Sequence, residues 1–116
     1  MKKLLLLLFS LMISFNSYGD WKQIGTTSTD APYYIDFEKI KSVDGYIYFW
    51  TLGDLLKPDK DGDLSYISYH QGDCKISRKK ILSENYYKQP MGRGNAETHT
   101  IKNPIWEYPS LNSVGQ

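Results

Sequence analysis

Between Asp44-Gly45 and Gly53-Asp54 lies Tyr46-Ile47-Tyr48-Phe49-Trp50-Thr51-Leu52, bulky at every position except Thr51. Such β-branched and aromatic residues suit a pleated strand. Asp-Gly ahead of it is a hairpin signal, because tight turns that match strand twist need positive φ, which these residues tolerate. A strand apolar on both faces is poorly suited to a solvated edge, so this segment is expected to be the middle strand of a sheet.

The rest of the chain supplies partners for it. Asp20 to Gly25 and Leu64 to Gln71 alternate polar and apolar residues, Pro32 to Asp36 is aromatic, and Asn95 to Lys102 alternates weakly. Cys74 to Tyr87 is a long run without Gly or Pro, and each of these segments reads as a strand. Gly72-Asp73 is expected to turn the chain into the Cys74 strand, and Pro90-Met91-Gly92-Arg93-Gly94 to end it in a loop. Asp36 is a fair N-cap, with Phe37, Ile40 and Lys41 at helical spacing, so a short helix of one or two turns is expected over 36–42, with a tight turn as the alternative. The expected class is therefore α+β: a mainly antiparallel sheet of about six strands with one short helix, in one small domain. Ile105 to Tyr108 is a last apolar cluster before a polar tail.

The amino terminus has a different purpose. Met1-Lys2-Lys3 is basic, Leu4 to Ile13 is almost wholly apolar, and Ser17-Tyr18-Gly19 places small residues ahead of Asp20. This is the pattern of a secretory signal peptide over residues 1–19, cleaved between Gly19 and Asp20, with the domain proper over 20–116. The apolar run is too short for a membrane span, and none is expected in the mature chain. Processing would leave twelve basic against thirteen acidic side chains, a net charge of −1. Without a basic excess, nucleic acid is not an expected partner.

Cys74 is the only cysteine, so no intrachain disulfide can form. It is expected to be a small buried apolar residue, with pairing between two chains, and hence a homodimer, as the alternative. Around it stand Lys75, Arg78, Lys79 and Lys80. Strand alternation would put Arg78 and Lys80 with Cys74 on one face and Lys75 and Lys79 on the other. These four, with Met91 and Arg93 of the following loop, are the candidate partner-binding residues, although edge strands also carry lysines simply to deter aggregation.

Enzymatic and metal chemistry find little support. No Gly-x-Ser-x-Gly elbow, paired carboxylate motif or phosphate-cradling loop is present. His70 and Cys74 are conceivable as base and nucleophile, but nothing in their spacing requires it. Zinc prefers three or four His and Cys ligands, and this chain has two histidines and one cysteine. Asp59-Lys60-Asp61-Gly62-Asp63 carries acids at alternate positions, yet Leu64 and His70 fall where a calcium loop wants Gly and Glu. No catalytic residue, metal or cofactor is expected.

A set of landmarks in order resembles the surface-adhesin protein E family. They are Trp21, Tyr33-Tyr34-Ile35-Asp36 followed by Ile40, Trp50-Thr51-Leu52, Asp73-Cys74 leading to Arg78 through Leu82, Tyr86, Pro90-Met91-Gly92-Arg93-Gly94, and Trp106 followed by Pro109-Ser110. The resemblance implies an exported Gram-negative envelope protein with an antiparallel sheet and a helix. It also implies a non-enzymatic adhesin of the cell surface or outer membrane, with host partners such as vitronectin, laminin or plasminogen. A periplasmic accessory protein contacting another envelope component is the alternative. Family members pair the Asp-Cys cysteine with a second one nearer the carboxyl end, which this sequence lacks. Losing a disulfide typically costs small secreted domains about 2–5 kcal/mol.

Overall fold

The computed structural model describes residues 20–109, so the expected signal peptide and the polar tail lie outside the described residues. Seven strands form one antiparallel sheet: β1 (Lys22–Thr26), β2 (Pro32–Ile35), β3 (Lys41–Val43), β4 (Tyr46–Asp54), β5 (Ser65–Asp73), β6 (Arg78–Tyr87) and β7 (Ala96–Thr100). Their order across the sheet is β1-β2-β4-β5-β6-β7, with β3 beside the first half of β4. The Tyr46 strand is central, as its two apolar faces predict. No helix among the described residues is long and apolar enough to cross a membrane.

The helix expected over 36–42 is reduced to one 3₁₀ turn, Phe37–Lys39. Asp36 does cap it, accepting a hydrogen bond from the Glu38 amide at 3.2 Å. Extension stops there because Lys41, Ser42 and Val43 pair with Tyr48, Ile47 and Tyr46 across the Asp44-Gly45 turn. Asp44 and Gly45 take φ values of 52° and 84°, so the hairpin ladder replaces further helical turns.

The β5–β6 turn also differs from expectation. Gly72 and Asp73 remain in β5, and the turn is built from Cys74 to Ser77, with Ser77 at φ 54°. Gly72 is held in the ladder because the sheet closes over it: a Cβ there would lie 2.9 Å from Ile47 Cγ1. Further along this pair, Tyr69 faces Ser83 and His70 faces Ile81, which leaves Leu82 as a bulge.

Cross-strand neighbours share a face. One face carries Tyr46, Tyr48, Trp50 and Leu52 opposite Asp73, Gln71, Tyr69 and Ile67. Leu52 is fully buried there, beneath the 3₁₀ turn Pro90–Gly92. The turn lies so close that a Cβ on Gly92 would meet Ile67 Cδ1 at 2.6 Å. The other face has a polar centre of Thr51, Ser68 and His70, all buried. Thr51 Oγ1 lies 2.7 Å from His70 Nε2, and the Phe49 ring covers the imidazole at 4.8 Å and 7°. Aromatic rings lying on their neighbours thus shield much of what a second layer covers in thicker folds.

Candidate functional site

The end of the sheet at the β5–β6 turn gathers most of the residues singled out from the sequence. Asp73 organises it: one carboxylate oxygen accepts from the Lys75 amide at 3.2 Å and the other from Arg78 Nε at 3.1 Å. A four-residue turn held this way projects outward. Cys74, Lys75, Ile76 and Ser77 are all exposed. Cys74 is therefore a free surface thiol and not the buried residue expected of it, because the turn begins two residues later in the chain than Gly72-Asp73.

Arg78 and Lys80 lie against a residue far along the chain. After β7, Ile101 donates to the Leu82 carbonyl, and Glu107 and Lys79 exchange both backbone hydrogen bonds, at 3.0 and 2.7 Å. This strap brings Trp106 onto the sheet. Its ring centroid is 4.2 Å from the Arg78 guanidinium carbon, 4.4 Å from Lys80 Nζ and 6.0 Å from the Tyr46 ring. Arg78 Nη1 also donates to the Tyr108 hydroxyl at 3.5 Å. Two cations held on one indole are attracted to its ring face while their stems cover apolar surface. Around them Val43, Ile76, Ile105 and Tyr108 are exposed.

The remaining candidates are separated from this cluster. Lys79 belongs to the opposite face, where Ile47, Phe49, Gly72, Cys74 and Lys79 line a hollow of about 270 Å³. Lys75 is in the turn and on neither face. Met91 and Arg93 follow the far end of β6, which at about 3.4 Å per residue puts them on the order of 30 Å from the turn. Met91 has a positional role, with φ 59° and its amide donating to Asp54 Oδ1 at 2.9 Å, while Arg93 is exposed. The surface is thus centred on Trp106 and Tyr108, which sequence reading left as an apolar cluster. A Trp and a Tyr beyond the last strand were the available signal, but their partners lay far away in sequence.

Other polar clusters have internal partners. Burial, with the Lys79 charge adding to it, pushes the His70 imidazole down from 6.5 to about 4, so the ring is neutral where it meets Thr51. His70 and Cys74 share no hydrogen bond. Asp59, Asp61 and Asp63 bring carboxylate oxygens within 4.8 Å of one another. The Lys88 ammonium sits among them, 2.9 Å from Asp63 Oδ1 and 2.6 Å from the Asp61 carbonyl. Two Asp59 bonds are internal, from the Asp61 and Asp63 amides. Burial, then the hydrogen bond to Glu84, pushes the Tyr86 phenol up to about 12.

The surface-adhesin protein E family model matches residues 21–116. Solved structures of protein E from Haemophilus influenzae share the architecture. That of the non-typeable form superposes with a TM-score of 0.61 at 15% identity, covering 80% of this chain and 67% of the other. A second crystal form gives 0.61 at 15% identity, covering 78% and 79%. At that identity the likeness shows the fold. No curated protein matches this sequence. The family match over nearly all of the described residues, with the same sheet beneath it, makes this chain a member of the surface-adhesin protein E family, a family of non-enzymatic surface proteins.

Proposed function

We propose that this protein is an exported adhesin that attaches to host extracellular-matrix or serum proteins, with vitronectin, laminin and plasminogen as the first partners to test. The attachment surface is the Cys74–Lys80 hairpin end with the Trp106 strap. The observation that carries this reading is the seating of Arg78 and Lys80 on the Trp106 ring beside Tyr46, rimmed by exposed Ile76 and Tyr108. Trp, Tyr and Arg are the residue types that dominate protein-binding energy. Here they are held in place before a partner arrives, which lowers the entropy lost on binding. Lys75 and Lys79 add positive charge on either side for an acidic partner segment.

Immobilised vitronectin, laminin and plasminogen, probed with the chain and with its Lys75/Arg78/Lys79/Lys80→Ala variant, test this surface. Binding should weaken in the variant and lose much of its salt dependence. Equal binding by both proteins rejects the site.

A second reading, a periplasmic accessory role, draws on β7. All five of its residues are exposed, and one of its edges lacks a partner strand among the described residues. Such an edge accepts an added strand from another protein. Protease shaving of intact cells separates the two readings. Removal of this protein while a periplasmic control survives supports the surface role, and protection until lysis supports the periplasmic one.

A further inference from the structure

The face opposite the His70 centre holds a hollow that the hairpin surface does not use. Three separate segments enclose it: Trp21 ahead of β1, the 3₁₀ turn after Asp36, and the Pro90–Gly92 turn. It is open to solvent and has a volume of about 260 Å³. Trp21, Trp50, Ile67 and Tyr87 give it three aromatic walls and one aliphatic wall. Trp50 is fixed against Tyr69, with ring centroids 4.4 Å apart. Gly92 completes the lining, and the contacts of its turn with Ser65 and Asp54 hold that side in place.

The polar part of the lining narrows the ligand. Asn85 contributes a side-chain amide, able to donate and accept at once, and no hydrogen bond among the described residues occupies it. Asp36 is buried and already accepts from the Asp20 and Glu38 amides, with Lys39 Nζ 3.9 Å away. Its negative charge is therefore offset within the wall. Lys39 itself is more than half exposed and has donors to spare. With Asp36 and Lys39 offsetting one another, the lining carries no net charge that would favour an anionic or a cationic ligand. A purely apolar ligand would cover Asn85 and Lys39 without pairing them. What fits is a neutral ring with an apolar C–H face for the indoles and several hydroxyl or amide groups at its rim. The volume lies below the roughly 300–1,000 Å³ of drug-sized pockets, which suits a single ring.

We propose that this hollow binds one neutral pyranose unit, a hexose or N-acetylhexosamine, between Trp21, Trp50 and Tyr87, with Asn85 and Lys39 engaging its hydroxyls. The site is separate from the Trp106 surface and stands whether or not that surface binds protein.

The test is titration of the ¹⁵N-labelled chain with a panel of neutral methyl pyranosides, following the three indole N–H resonances. The expected result is a saturable shift of the Trp21 and Trp50 signals at about 10 mM sugar, in keeping with a weak single-ring site, while Trp106 stays still. Asn85→Ala should weaken the response up to about tenfold, the worth of one hydrogen bond. Trp50→Ala should abolish it, and if that variant unfolds, Lys39→Ala read beside Asn85→Ala keeps the test decisive. Tighter binding of neutral oligosaccharides than of single glycosides identifies a glycan chain as the source, and equal binding identifies a free sugar. The proposal is overturned by the absence of a saturable shift across the panel, by an equal shift at Trp106, or by an unchanged response in a folded Asn85→Ala protein.

Discussion

Arg78 is held from three directions: its Nε by Asp73 at 3.1 Å, its plane by the Trp106 ring at 4.2 Å and its Nη1 by the Tyr108 hydroxyl. The arginine ties the β5–β6 turn to the carboxyl-terminal strap, alongside the Lys79–Glu107 ladder bonds and the contact of Lys80 with Trp106. The placement of both cations therefore depends in part on one aromatic side chain, Trp106.

Replacing that side chain tests the dependence. Trp106→Ala should cost about 2 kcal/mol through lost ring burial and the Tyr46 stack, read as a lower urea midpoint with an unchanged slope. The same variant should lose attachment to the immobilised host proteins even under conditions where it is folded. Trp106→Phe should recover part of both.

His70 predicts an acid sensitivity. The folded protein keeps the imidazole neutral down to about 4, whereas in the unfolded chain it takes up a proton near 6.5. Its contribution is fully present above pH 6.5 and is lost as pH falls toward 4, about 3 kcal/mol over that window. Unfolding free energies measured between pH 7 and pH 4 should decline accordingly. His70→Gln, which retains an amide for Thr51 and cannot titrate, should flatten that part of the profile.

Gly92 combines a φ of 67° with contact against Ile67 and Leu52. Gly92→Ala should destabilise by about 2–3 kcal/mol, since the methyl group meets both a strained backbone and a packed wall. Thermal unfolding reads the loss. Gly45→Ala, with a similar φ and open space around it, isolates the backbone part and should cost about 1 kcal/mol.

The amide of Asp20 lies 3.4 Å from Asp36 Oδ2. A chain processed after Gly19 would present a charged amine at that position, facing a carboxylate that is almost wholly buried. A protein beginning at Asp20 should be about 1 kcal/mol more stable than the same protein acetylated there. Asp36→Asn should erase the difference between the two. Equal melting temperatures for the free and acetylated forms would show that the amine does not reach Asp36.

Exposure of Cys74 makes crosslinking a direct test of pairing between chains. Under oxidising conditions a non-reducing gel should show a dimer that disappears on reduction and is missing in Cys74→Ser.

Much of the sheet was legible because strand period and turn chemistry are local. Asp44-Gly45 marked its hairpin, Asp36 marked its cap, and the doubly apolar Tyr46 run marked the centre. The position of the β5–β6 turn was not legible. Gly72-Asp73 has turn chemistry, yet Gly72 is needed in the ladder where Ile47 and Phe49 leave no room for a side chain. That crowding by two side chains of the neighbouring strand is invisible in the local sequence.

By itself, then, the sequence determined an antiparallel sheet with Tyr46–Leu52 inside it, a weakly charged domain and a short amino-terminal export pattern, since each follows from side-chain period, composition or a contiguous motif. Tertiary structure decided what those residues meet. It exposed Cys74, set Arg78 and Lys80 on Trp106, parted Met91 from the basic turn and enclosed a hollow between Trp21, Trp50 and Tyr87. The physical reason is common to all four: each depends on contacts between residues distant in the chain, and those contacts exist only once the strands have paired and the strap has returned to β6.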